Sequence, residues 1–222
     1  MFRGQPVPVY AHLPVARASL EAAALSYWAG ARGIGPTMRV QRYQAIRLRN
    51  SRELKRSPIP EFKPQGAANM AQIRQQSANR GWAVIANEKR IVVGEQELPG
   101  SGALIKALLS NGTDAQGLQH LGATAWWLWS GVSHAANYAL LESVDATNAP
   151  ASPLGPNTVP IFTSSRTVGF QALIVGHGFR TLVEEHRFVF GWSSDAWTHA
   201  AQRFVAATKV FLSAFSASSP TV

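Results

Sequence analysis

The sequence contains no cysteine, which removes disulfides, thiolate nucleophiles and thiolate metal sites together. Charge is scarce, at 15% of residues where globular chains carry about a quarter. With 46% hydrophobic residues, that balance supports a buried core and argues against a chain disordered by composition. Long apolar runs are missing as well. No window reaches the about 18 uncharged apolar residues of a membrane-spanning helix. The nearest, Gly122 to Leu141, carries Ser130, Ser133, His134 and Asn137, and reads as a buried helix. Met1 to Leu13 is broken by Gly4, Pro6 and Pro8 and has no signal-peptide pattern. These features give the expectation of a soluble, cytoplasmic protein with no membrane partner.

Cofactor fingerprints are lacking too. Gly30, Gly33 and Gly35 do not form a strand-to-helix phosphate or dinucleotide turn, and there is no Gly-x-Ser-x-Gly or His-Glu-x-x-His. The six histidines, at 12, 120, 134, 177, 186 and 199, include no pair at i,i+3 or i,i+4. Neither a metal site nor a cofactor is expected.

What is present is positive charge, unevenly placed. Twenty-one Lys and Arg oppose 12 Asp and Glu, a net of +9. Residues 1–90 carry +11 and residues 91–222 carry −2. Wound as a helix, Arg42, Arg49, Arg52 and Arg56 form one stripe, with Met38, Ile46 and Leu54 on an apolar contact face. Such a stripe binds nucleic-acid phosphate through charge and counterion release, or is simply a solvated face.

The patterning predicts an all-α fold: a helical bundle of about six or seven helices with one small β-hairpin inserted at about 82–93. Residues 1–13 read as an extended lead-in, 14–217 as a single helical domain and 218–222 as a frayed end. Pro14 is placed to open the first helix, and Pro36 the second, which runs to about Arg56. Ser57-Pro58-Ile59-Pro60 breaks the chain before a third helix over about 63–79, with Gly81 just past its end. Trp82–Ile85 and Ile91–Val93 are the hairpin strands. Further helices are expected at 101–110, 116–143, 162–188 and 194–217, the last capped by Ser194.

Two segments hold groups suited to chemistry. In the first, Ser130, His134 and Asn137 are spaced i, i+4, i+7 beside Trp126, Trp127, Trp129 and Tyr138. Three polar groups on one face of an apolar helix form either a Trp-lined polar site or a buried network that fixes register. The second is Arg180-Thr181-Leu182-Val183-Glu184-Glu185-His186, an Arg and a His separated by five residues. An Arg can steady phosphate charge while a His moves protons.

That second segment resembles the Arg-x(4–6)-His motif of the HEPN helical-bundle superfamily. Arg17-Ala18-Ser19-Leu20-Glu21, Trp28, the Arg-rich second helix and Trp129-Ser130-x-x-Ser133-His134 are similar to actinobacterial proteins and to the HEPN-like DUF5677 group. The likeness covers about residues 14–56 and 118–190. It implies a helical protein that binds or acts on RNA in a defence or stress role, as a homodimer. It also implies a metal-independent ribonuclease chemistry using Arg180 and His186, with His134 as a further catalytic candidate. Arg17 and Glu21 would pack near the helix that carries Ser130, His134 and Asn137. A helical-bundle protein binding a small apolar ligand beside Trp129 and Tyr138, and a non-catalytic homodimeric interaction protein, are the other two readings.

Overall fold

The computed structural model describes residues 7–110, 126–127, 162–163 and 165–217. In chain order the described elements are β1 (Val7–Pro8), α1 (Val9–Gly30), α2 (Pro36–Arg56), α3 (Phe62–Ala78), β2 (Val84–Ala86), β3 (Ile91–Val93), β4 (Gln96–Glu97), α4 (Ser101–Ser110), β5 (Phe162–Thr163), α5 (Ser165–Phe190) and α6 (Asp195–Ala217). Six helices and a small three-stranded antiparallel sheet among these residues make the fold mostly α-helical with an inserted β element. The packing falls into two compact units, Leu25–Ser101 and the remainder.

In the Leu25–Ser101 unit, α2 lies against α3 on one side and against β3 and β4 on the other. Ala45, Leu48, Met70, Ile73, Ile91 and Val93 form its core, with Trp28, Trp82, Val84, Ala86 and Leu98 packed around them. The helices start and stop where the sequence places its breakers. Gly35 precedes α2 in an extended conformation and Pro36 occupies its first turn. Gly81, at φ +71°, turns the chain out of α3, and the Trp82 N–H closes that turn on the Ser77 carbonyl at 2.9 Å. The hairpin is extended by one strand that the sequence reading leaves out. Gln96 and Glu97 pair with Val93 and Val92, after a turn at Gly94 with φ +60°.

The inward face of α2 differs from the expected one. It runs through Gln41, Gln44, Ala45, Leu48 and Ser51, whereas Met38, Ile46 and Leu54 are only half-buried. Gln44 and Ser51 on that face have partners. Gln44 donates to Gln76 of α3 at 3.0 Å, Arg47 donates to Gln44 at 3.2 Å, and Ser51 donates to the Arg47 carbonyl. A hydrophobicity pattern does not register buried side chains that bond to each other across two helices.

In the other unit, Leu13, Leu20, Ala23 and Ala24 of α1, Leu104, Ile105, Leu108 and Leu109 of α4, and Ile174 and Leu182 of α5 are buried. A side chain at Gly178 would meet both Leu20 and Leu108, so α1, α4 and α5 converge there. α1 opens at Val9, ahead of Pro14, so an extended lead-in to residue 13 does not hold for residues 9–13. Pro14 forfeits one backbone bond, but its ring is exposed and the flanking Leu13 and Leu20 are fully buried. Phe162 and Thr163, expected as helix, are extended and pair antiparallel with Pro8 and Val7; α5 starts at Ser165. At α6 the Ser194 carbonyl accepts the Thr198 N–H at 2.7 Å, while its hydroxyl turns to Asp195 instead of capping the helix. The expected helix over 116–143 lies outside the described residues except for Trp126 and Trp127, which are helical. No described helix is long and apolar enough to cross a membrane.

Candidate nucleic-acid interface

The positive charge belongs to one unit. Residues 25–101 hold 13 Lys and Arg against 5 Glu, which places +8 of the chain's +9 there. Within it, the α2 arginines divide by task.

Arg42 is structural. Its Nε donates to Gln96 Oε1 at 2.7 Å, a terminal nitrogen donates to the Trp28 carbonyl at 2.6 Å, and the guanidinium lies 4.9 Å from the Trp28 ring centre. Arg39 works beside it, donating to the carbonyls of Gly30, Ala31 and Ile34. Together they satisfy carbonyls that the end of α1 leaves without helical donors, where a cation also suits the helix dipole. Burial, reinforced by Arg39, pulls the Arg42 pKa below the usual arginine value. An arginine so placed still keeps its charge near neutrality. Arg52 is also engaged, donating to the Asn87 carbonyl at 2.6 Å and so tying the β2–β3 turn to α2. The turn closes on itself, since Asn87 Oδ1 accepts the N–H groups of Lys89 and Arg90. The stripe therefore flanks the core on the side covered by the sheet and is not one free face.

Beside Arg52 lies a groove of about 430 Å³, lined by Lys55 and Arg56 of α2, Met70 and Arg74 of α3, and Glu88 of the turn. Lys55 and Arg74 are exposed and carry no ion pair among the described residues. Arg56 reaches Glu88 at 3.4 Å, but both ends are open to water, where such pairs are weak. Three cations around one concave surface make a place for phosphate. The sequence stripe points to Arg56 but misses Arg74, whose α3 position only the fold brings alongside.

The other expected site residues are placed as follows. Arg17 Nε meets Glu21 Oε1 at 2.9 Å, both about three-quarters buried, and Trp126 Nε1 donates to the same Glu21 oxygen at 3.3 Å. Ser130, His134, Asn137, Trp129 and Tyr138 lie outside the described residues. Arg180 Nε is held by Glu184 at 2.8 Å. His186 packs edge-on against Phe190 and Trp192, with centroids at 5.6 and 6.4 Å. Six residues along a helix correspond to about 120° of rotation and about 9 Å of rise, so Arg180 and His186 leave α5 on different faces.

A histidine not singled out in the sequence stands closer to Arg180. His177 is half-buried, and its Nε2 has no hydrogen-bond partner among the described residues. Burial lowers its pKa, Arg180 lowers it further, and Glu184 opposes both. The unfolded chain therefore takes up a proton below about pH 6.5 that the native state resists. The stability contribution is complete above that value and is lost as the pH falls. Replacing His177 by Leu should shrink the loss of melting temperature between about pH 7.5 and 5.5. An equal loss in both proteins would contradict this.

Among the described residues no three His, Asp or Glu side chains gather as a metal site. Comparison with family models, curated proteins and solved structures finds no match.

Proposed function

We propose that this protein binds RNA through the groove between α2, α3 and the β2–β3 turn, with Lys55, Arg56 and Arg74 on the phosphates. The observation that carries this reading is the concentration of +8 in residues 25–101, with Lys55 and Arg74, exposed and without an ion pair among the described residues, around one groove. The HEPN-like resemblance favours RNA as the nucleic acid and a defence or stress role for the binding. Phosphate recognition by Lys and Arg needs no base contact, so broad sequence tolerance is expected.

The test is a titration of single-stranded RNA at several salt concentrations. Each phosphate contact contributes about −0.7 to the slope of log affinity against log salt. The Lys55→Gln/Arg74→Gln protein should lose affinity about tenfold or more and flatten the slope by about 1 to 1.5. Both residues are exposed, so the fold should be unaffected. An unchanged slope would place RNA elsewhere.

A further inference from the structure

The unit formed by residues 1–24 and 102–222 holds a second groove of about 450 Å³ between α5 and α6, and its chemistry differs from the first. Arg180, Glu184 and Arg187 line it from α5, and Trp197, Val205 and Lys209 from α6. Three cations face one acid, and that acid is already bonded to Arg180. Arg187 Nε is inaccessible to solvent and has no hydrogen-bond partner among the described residues. A buried charged donor left in that state is costly, and an anionic acceptor relieves it. Trp197, Ala201, Val205 and Ala206 supply the apolar part of the lining, beside Gln202 and Thr198, whose hydroxyl donates to the Ser194 carbonyl. A volume near 450 Å³ suits a ligand of one or two rings.

From these features we infer that the α5–α6 groove binds a small aromatic anion. The carboxylate or phosphate sits on Arg187 and Lys209, and the ring system packs against Trp197.

Calorimetric titration of the whole chain with 1-naphthyl phosphate, 1-naphthoate, neutral 1-naphthylmethanol and inorganic phosphate tests this. Both naphthyl anions should bind at least tenfold more tightly than the neutral alcohol or inorganic phosphate. Lys209 is exposed, so Lys209→Gln keeps the fold and should weaken naphthyl phosphate binding at least fivefold. Arg187→Gln and Trp197→Leu should do the same, while Lys55→Gln/Arg74→Gln should bind it like the wild type. A preference for carboxylate or phosphate would identify the head group within the inference. Equal binding of the alcohol, no effect of Lys209→Gln, or loss of binding in the Lys55/Arg74 protein would overturn it. Because RNA binding rests on the other groove, either reading can fail without the other.

Discussion

Gly66→Ala should destabilise the Leu25–Ser101 unit by about 2–3 kcal/mol, although alanine is the better helix former by about 1 kcal/mol. Gly66 sits in the first turns of α3, where the helix touches the backbone of α2. A β-carbon there would collide with the Lys55 amide nitrogen, come within 2.7 Å of the Ser51 carbonyl oxygen and lie 2.9 Å from Lys55 Cα. All three neighbours are main-chain atoms, so no side chain can swing away. The helices must separate instead, which loosens Ala45 and Leu48 against Met70 and Ile73. Thermal melts should show a fall of several degrees. Gly100→Ala is the control: its β-carbon meets open space, and its melting temperature should stay within about 2 °C. Equal stability of the two variants would show that the α2–α3 contact yields more readily than described.

Arg42→Ala should cost about 2–3 kcal/mol, far more than an exposed arginine is worth. The change strips a donor from the Trp28 carbonyl and from Gln96, and removes the cation from the face of Trp28. It therefore loosens the end of α1 and the attachment of β4 together. Arg42→Lys should recover only part of the loss, because an ammonium cannot reproduce the fork that spans the two acceptors. Arg49→Ala, one helical stripe position away and with no partner among the described residues, should change stability by less than about 0.5 kcal/mol. Denaturant midpoints for the three proteins decide the matter. If Arg42→Ala matched Arg49→Ala, the stripe would be a solvated face after all.

Those two residues show what the sequence can and cannot reveal. Helix boundaries set by Pro36, Ser57-Pro58 and Gly81 are legible because proline and glycine act locally, through a missing donor or a positive φ. The strands Val84–Ala86 and Ile91–Val93 are legible through β-branched residues on both sides of a polar turn. The short strand Gln96–Glu97 carries no such residues, and only the glycine at 94 hints at a second turn. The direction that α2 faces is not legible, because polar residues share its buried face: Gln44 bonds across to Gln76 of α3, Ser51 bonds back to the Arg47 carbonyl, and Gln41 is buried beside them. The same limit explains the arginines. Periodicity places Arg42, Arg49, Arg52 and Arg56 on one stripe, but the sheet that folds over it consumes Arg42 and Arg52. Lys55 and Arg74, nineteen positions apart, become neighbours only through the α2–α3 packing.

Crosslinking tests the proposed location of RNA on this surface most directly. Single-stranded RNA carrying 4-thiouridine is irradiated with the intact protein, and the linked peptides are identified by mass spectrometry. Crosslinks should fall within residues 49–74 and at the 86–89 turn, and should disappear in the Lys55→Gln/Arg74→Gln protein. Crosslinks confined to α5 and α6, or persisting undiminished in that variant, would contradict the claim.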